Sequence, residues 1–333
     1  MFSTPFLRFR TLPFGVSLLQ VCVVASCANA ETRIFFESYI DSNWEICSMK
    51  PDGSDRQTVT NTPDIHELYP KVSNDGQHLC CLVDEHNNGR IERSLYVMNV
   101  DGTNRVKVSD RARHPCWSPD GKTIAFAKQE FKKFNVKDFV TKGIYFYDID
   151  TQKTTKHPND AIEHLYVPTW SADGKWIIST VHGGMGFGHA IIGIEVAGKR
   201  VVDLKIGGCR PNLSRDSSRL TWSSDDHTIK VADIAFGSDG PKLTNKRVLY
   251  HHETQHLYHP DLSPDSKSVT FSMGPGGRMP ANGPGTQTEV AEMTGVRGDW
   301  DIFIKAVDSD AEPTRLTDAP QISNKESEWA SLN

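Results

Sequence analysis

The sequence lacks an excess of positive charge. Its 37 Lys and Arg residues face 42 Asp and Glu residues, for a formal net charge of −5 over 333 residues. Proteins that bind nucleic acids usually carry a basic face, so this class is not expected. Beyond residue 30 the sequence has no apolar run long enough to cross a bilayer. It also lacks zinc-type cysteine spacing and the G-x-S-x-G turn of serine hydrolases.

The first thirty residues read as an export signal. They contain no acidic residue, and Arg8 and Arg10 precede a mostly apolar run over 12–24. Ala28-Asn29-Ala30 follows as a small-x-small cleavage pattern. This order predicts a cleaved signal peptide over 1–30 and a periplasmic or secreted protein.

A second processing pattern overlaps the first. Val24-Ala25-Ser26-Cys27 resembles the processing box of bacterial lipoproteins. If this box were used, Cys27 would become the lipidated first residue and the protein a membrane-anchored lipoprotein. Five cysteines remain after residue 30, an odd number that favours buried free thiols over a disulfide framework.

One segment recurs five times along the rest of the chain. Each copy has a Pro, a Ser three residues later, an Asp two residues after the Ser, and then an alternating apolar run. The repeat serines lie 43 to 53 residues apart, at Ser73, Ser118, Ser171, Ser214 and Ser263. Repeats of this length with four short strands each are typical of β-propeller blades.

Each unit is predicted to supply four antiparallel strands. The residues before the Ser form a first strand, and the Asp-containing turn connects it to a second. SLYVMNVDG from Ser94 and GIYFYDIDT from Gly143 are the clearest third strands. A weaker fourth strand follows, as in RVKVS from Arg105.

The two chain ends are predicted to complete a sixth blade together. RIFFES from Arg33, NWEICSMKPDGS from Asn43 and RQTVT from Arg56 match the second, third and fourth strands of a unit. SEWASLN, which contains Trp329, matches the missing first strand. We therefore expect an all-β fold over 31–333, a single six-bladed propeller closed by pairing of the N- and C-terminal strands. A seven-bladed ring is the alternative, because 67 residues separate Ser263 from Ala330.

The repeat resembles that of the TolB-type β-propellers of exported bacterial proteins. The resemblance covers nearly all of residues 31–333 and rests on the S-x-D-G/S turns and the closing SNKESEW. It implies that the first strand of each blade lines a central channel. TolB itself carries an α/β domain before its propeller, whereas this sequence enters a strand directly after residue 30. The partners of TolB are therefore not expected to carry over.

Histidine recurs four residues before the repeat Pro in alternate units. That position holds, in order, His66, Arg111, His164, Gly207, His256 and, in the closing unit, Ser323. In a six-fold ring three of these histidines would approach the axis about 120° apart. Such a trio could hold a divalent metal, or with Arg111 it could receive an anion. Alternatively, each His caps a turn or packs beneath a neighbouring Tyr.

Two functions fit this pattern. The first is a non-enzymatic, exported binding or scaffold module that needs no cofactor. It presents a channel-rim site to a protein or a carbohydrate, with Tyr side chains stacking on the ligand. The expected ligand-binding residues are His66, Arg111, His164, Tyr166, His256, Tyr258 and His259.

The alternative is a metal-assisted polysaccharide lyase of the oligogalacturonate type. Gln255, His256 and His259 vaguely resemble the metal-binding stretch of those lyases. In that case His66, His164 and His256 would hold Mn²⁺ or a similar ion, which would acidify the proton beside a uronate carboxylate. The spacing departs from the lyase pattern, and no matching base stands out.

Overall fold

The chain forms a ring of β-sheets. A computed structural model describes residues 1–2, 31–63, 65–87, 90–129, 141–275, 298–318 and 322–332. Over these ranges the chain forms twenty-four strands and no helix. No segment among them is therefore a helix that could cross a membrane. The predicted signal peptide and Cys27 lie outside the described residues.

The strands are short, as expected for propeller blades. The first half of the chain contributes β1 (Glu31–Ile40), β2 (Asn43–Met49), β3 (Gln57–Thr58), β4 (His66–Val72), β5 (His78–Asn87), β6 (Arg90–Asn99), β7 (Val106–Ser109), β8 (Ala112–Trp117), β9 (Thr123–Gln129), β10 (Thr141–Asp148), β11 (Lys153–Lys156) and β12 (Leu165–Trp170). The second half contributes β13 (Trp176–His182), β14 (His189–Glu195), β15 (Val201–Asp203), β16 (Cys209–Leu213), β17 (Arg219–Asp225), β18 (Thr228–Gly237), β19 (Gly240–His251), β20 (Gln255–Leu262), β21 (Ser268–Pro275), β22 (Asp301–Ala306), β23 (Thr314–Arg315) and β24 (Asn324–Leu332).

These strands form six four-stranded sheets in the described part of the chain, which confirms the six-bladed prediction over the seven-bladed alternative. Blades 2 to 6 are consecutive, from β4–β7 to β20–β23, and blade 1 has the order β24-β1-β2-β3. Ile34 of β1 lies opposite Trp329 of β24, so the two chain ends share one sheet. Each first strand contacts the next around the ring, and β24 contacts β4 to close it.

The repeated Ser and Asp residues build the turn between the first two strands. The Ser73 hydroxyl donates to the Asp75 carboxylate at 2.5 Å and accepts the backbone N–H of His78 at 2.9 Å. The backbone N–H of Gln77 donates to the same carboxylate. The turns at Ser118, Ser171, Ser214 and Ser263 repeat this arrangement. The repeat aspartates are thus structural, as their recurrence indicates.

Apolar side chains fill the spaces between neighbouring blades. Between blades 6 and 1, for example, Ile302 packs with Phe36 and Trp329, all nearly inaccessible to solvent. Burial of this kind is the main favourable term in folding. The five described cysteines are free thiols, and all but Cys209 are buried.

Candidate functional site

Each first strand carries a bulge at the same repeat position. The residue immediately before the repeat Pro, or before Ser327 in blade 1, has a positive φ between 50° and 56° in all six blades. The pairing of each first strand shifts register at this point. These axial residues are Tyr69, His114, Val167, Arg210, His259 and Glu326. Positive φ is unfavourable for side chains other than glycine, and most of all for a β-branched valine.

The bulges bring the axial residues of different blades together at the centre of the ring. The ring of Tyr69 in blade 2 lies 6.3 Å from that of His114 in blade 3. The same tyrosine ring lies 6.2 Å from His259 of blade 6, across the axis. All six axial side chains are at most 8% exposed. They therefore fill the centre of the ring at this level and leave it little exposed to solvent.

Three axial residues form a polar string. The Nε–H of Arg210 donates to Nε2 of His259 at 3.2 Å, and Nδ1 of His259 lies 2.7 Å from the Glu326 carboxylate. Because Nε2 accepts, the proton of the neutral imidazole is on Nδ1, the nitrogen beside Glu326. Burial and the nearby Arg210 charge hold the pKa of His259 well below its usual value.

A buried ion pair supports the axial layer from blade 1. The Lys325 ammonium lies 3.0 Å from the Glu37 carboxylate, and both side chains are at most 1% exposed. Glu37 also accepts the backbone N–H of Tyr69 at 3.1 Å, and Lys325 lies over the Trp44 ring. Breaking a pair this deeply buried leaves an uncompensated charge, so these residues fix the axial geometry.

A polar cavity of about 120 Å³ lies on one side of the axial layer. We name its opening the turn mouth, because the Ser-x-Asp turns surround it; the opposite opening, where the first strands begin, is the entry mouth. Each blade contributes the residue two positions after its axial residue to the wall. These are Lys71, Cys116, Thr169, Asn212, Asp261 and Glu328. Arg210 and His259 line the cavity as well.

The cavity wall is charged and internally paired. Lys71 forms an ion pair with Glu328, and both side chains are less than 20% exposed. Asp261 accepts the Asn212 amide and, at 2.7 Å, the backbone N–H of Trp329. Burial raises the pKa of the Asp261 carboxyl to about 8, with the Glu328 charge as the second cause. The wall can thus donate and accept hydrogen bonds to a polar ligand.

The cavity continues outward into a groove between blades 3 and 4. Pro119, Trp170 and Ala172 line both spaces, and Asp120 and Asp173 border the groove. Trp170 is partly exposed, and its indole N–H donates to the Gly174 carbonyl. A partly exposed indole beside polar side chains suits a sugar ring or a peptide side chain.

The three predicted metal histidines each have a local hydrogen bond. Nδ1 of His66 accepts the backbone N–H of Trp44 at 3.2 Å. Nδ1 of His164 donates to the Gly183 carbonyl at 2.7 Å and so holds the β13–β14 connection. His256 hydrogen-bonds the Tyr258 hydroxyl at 3.0 Å and lies edge-on to its ring. These contacts match the alternative in which each His caps a turn or packs against a Tyr.

The described residues contain no group of three or more His, Cys, Asp or Glu side chains arranged to hold a metal ion. The trio His66, His164 and His256 is included in those residues. Its role as a metal site, and with it the lyase alternative, stays a prediction from the sequence to which the side-chain geometry adds no support.

The other predicted residues divide between the two mouths. Arg111 is exposed at the entry mouth. Tyr166 is 2% exposed, with its hydroxyl 3.4 Å from Nε2 of His189. Tyr258 donates to Asp226 at 2.7 Å, and the Arg210 guanidinium lies over its ring. Of the predicted set only His259 lines the cavity at the turn mouth.

Sequence reasoning missed most of the residues that surround the cavity. Lys71, Arg210, Asn212, Asp261 and Glu328 were not singled out. A signal was present, since they hold fixed positions beside the repeat Pro or its equivalent in blade 1. The residue type at those positions differs from blade to blade, however. No single residue type recurs there, whereas histidine recurs four residues before the Pro.

The fold resembles several solved propellers. TolB from Acinetobacter baumannii superposes with a TM-score of 0.64 at 17% identity, covering 91% of this chain and 67% of that one. The crystal structure of a nidogen/laminin complex gives a TM-score of 0.61 at 9% identity, with 90% and 98% covered. Hydrazine synthase from Kuenenia stuttgartiensis gives 0.61 at 12% identity, with 91% and 47% covered.

These likenesses concern the β-propeller fold alone. This chain spans about half of the hydrazine synthase chain that it matches. No protein-family model and no curated protein sequence matches it. The function must therefore be argued from the site itself.

Proposed function

We propose that this protein is an exported, non-enzymatic binding module whose ligand, part of a protein or a carbohydrate, enters the turn mouth. The observation that carries the proposal is the polar cavity that ends on the Arg210–His259–Glu326 string. Its wall takes one residue from each of the six blades, so the closed ring holds the site rigidly. A preorganised wall lowers the entropy cost of binding.

One of the similar structures, a complex of nidogen with laminin, fits a binding role, and TolB is the other similar structure. At 9% and 17% identity these likenesses concern the fold alone, so the ligand of this protein is argued from the cavity wall. Its mixed donors and acceptors, with Trp170 at the edge, favour a polar ligand carrying one flat or apolar face.

The test is to block the turn mouth with one bulky side chain. Ala172 is an exposed turn residue that lines both the cavity and the groove, and its structural hydrogen bond uses only its backbone N–H. Ala172→Trp should therefore fill the opening without disturbing the turn. Lys175→Trp is the matched control, since Lys175 is exposed on the same turn but does not line the cavity.

Purified full chain is applied to arrays of immobilised oligosaccharides and of peptides. We expect binding on one array that Ala172→Trp weakens by about tenfold or more, or roughly 1.4 kcal/mol, and that Lys175→Trp leaves unchanged. Equal binding by wild type and Ala172→Trp would reject the turn mouth. Conversion of a bound oligosaccharide into products would reject the non-enzymatic assignment.

A further inference from the structure

The outermost strand of blade 5 differs from its counterparts in the other blades. In blades 1, 2, 3, 4 and 6 this strand has 2, 4, 4, 3 and 2 residues. In blade 5 it is β19, with 12 residues. A long strand at the edge of a sheet presents unpaired backbone N–H and C=O groups that can pair with another chain.

The longest exposed run of β19 lies in its middle and second half. Gly240 at its start is buried against Trp176 and Val202 of blade 4. The five residues from Thr244 to Val248 are all exposed, and the Val248 side chain is 52% exposed. We name residues Thr244–Tyr250 the open edge. An exposed valine in such a strand offers a contact for an apolar side chain of an added strand.

The open edge is irregular, which limits unselective sheet growth. The pairing of β18 with β19 shifts register twice, between Ile229 and Lys230 and between Val231 and Asp233. Asn245 has a φ of 51°, and its side-chain amide donates to Asp233 at 2.6 Å. Bulges of this kind twist an edge strand and restrict which strands can pair with it.

The charges on the open edge favour an acidic partner. Lys246 lies on it, and Lys230 lies directly opposite Val248 on the neighbouring strand. Neither lysine has an ion-pair partner among the described residues. Arg247 pairs with Asp308 at 2.7 Å, and the same carboxylate also pairs with Arg219. A second copy of this chain would bring like charges together, whereas an acidic strand would be attracted.

We propose that the open edge, Thr244–Tyr250, is a strand-addition site for an extended acidic segment of a partner protein. The segment pairs with the outer backbone groups of β19, places an apolar side chain on Val248, and places carboxylates near Lys230 and Lys246. This contact lies on the outside of the ring and is independent of the turn mouth.

The probe is a fluorescein-labelled heptapeptide of alternating Val and Glu, compared with the same peptide carrying Lys in place of Glu. With the full chain we expect saturable binding of the Glu peptide, at least about tenfold weaker binding of the Lys peptide, and a loss of affinity as salt is added. Amide hydrogen exchange should slow at residues 244–250 when the Glu peptide is bound.

Two variants and one control localise the contact. Val248→Asp and Lys246→Glu should each weaken binding of the Glu peptide by about tenfold. Val106→Asp is the control, because Val106 is a valine on the outer strand of blade 2 that is 39% exposed. It should leave the affinity unchanged, and all three variants should melt at nearly the same temperature, since exposed side chains contribute little to folding stability.

Equal binding of both peptides, no protection at residues 244–250, or full binding by Val248→Asp would each overturn the proposal. Self-association of the wild type that is lost in Val248→Asp would instead identify a second copy as the occupant. Absence of ligand binding on the oligosaccharide or peptide arrays would count against the turn mouth only. It would not affect the peptide results for the open edge, because the two surfaces are separate.

Discussion

The Arg210 guanidinium donates to the His259 imidazole at 3.2 Å, and this contact fixes the protonation state of the histidine. Nε2 can accept from Arg210 only when it carries no proton. Nδ1, which keeps the remaining proton, lies 2.7 Å from the Glu326 carboxylate. Blades 5, 6 and 1 are therefore joined at the axis by a string that requires a neutral imidazole.

The first prediction is that His259 makes the protein less stable in mild acid. Its folded pKa is lowered, by burial and then by Arg210, whereas the unfolded chain titrates near 6.5. The stabilisation is thus present above pH 6.5 and is lost as the pH falls, by at most about 1.4 kcal/mol per pH unit for one proton. The other charged groups acting on His259 are Lys71, Lys325 and Glu37.

Urea unfolding at pH 7.5 and pH 5.5 measures this effect. His259→Gln should be less stable than wild type at pH 7.5 but should lose less stability between the two values. His251→Gln, at an exposed position on β19, serves as the control and should follow the wild-type slope. A slope for His259→Gln equal to that of wild type would contradict the assignment of a buried neutral imidazole.

The second prediction concerns Glu67, where the pH dependence has the opposite sign. Burial raises the pKa of this carboxyl to about 7, and Arg105 lowers it only partly. One oxygen pairs with Arg105, and the other has no hydrogen-bond partner. The pKa of Glu67 in the folded protein lies above its value in the unfolded chain. The protonated carboxyl therefore stabilises the fold at low pH, and this stabilisation is lost as the pH rises through about 7.

Glu67→Gln should therefore be more stable than wild type at pH 8.5. The net gain should be on the order of 1 kcal/mol, because the variant also loses the ion pair with Arg105. At pH 4.5 the variant should be no more stable than wild type. Chemical denaturation at the two pH values gives the difference. Glu85→Gln provides a contrast, because the Tyr96 hydroxyl and Lys107 hold the pKa of Glu85 below its usual value despite partial burial. Glu85→Gln should be less stable than wild type at pH 8.5.

The turns and the ring could be predicted from the sequence because they depend on local chemistry. The Ser and Asp of each turn bond to backbone groups within five residues, so the pattern survives in every unit. Pairing of β24 with β1 could also be predicted, since SEWASLN supplies the one strand type that the N-terminus lacks.

The axial residues other than His259 could not be predicted, because the bulge that aims them is a backbone conformation. Tyr69, Arg210 and Glu326 share a positive φ but no side-chain chemistry. Histidine four residues before the Pro was easier to see. In the structure His66 accepts a backbone N–H from β2, and His164 donates to a backbone carbonyl of the β13–β14 connection. A recurrent residue type in a repeat can thus reflect a recurrent backbone requirement.

The third prediction tests closure of the ring. Trp329 of β24 is 8% exposed and packs on Ile34, Phe36 and Ile302. Trp329→Ala should cost about 3–5 kcal/mol, because it empties a buried site where blades 1 and 6 meet. Trp170→Ala, at the same repeat position but partly exposed, should cost less. Urea unfolding measures the loss of folding free energy in both variants. A smaller loss for Trp329→Ala than for Trp170→Ala would contradict the closing role of β24.

The fourth prediction concerns the mature N-terminus. The first strand begins at Glu31, directly after the predicted cleavage pattern, and Glu31 to Ser38 pair with β24. Cleavage after Ala30 would release this strand with no extra residues, whereas processing at Cys27 would leave a lipid four residues before it. Intact-mass analysis of the protein purified from an exporting bacterial host should therefore give a chain that starts at Glu31 and is recovered without detergent. A mass that includes Cys27 and acyl chains, with recovery only from membranes, would establish the lipoprotein alternative, and an uncleaved chain would reject the export signal.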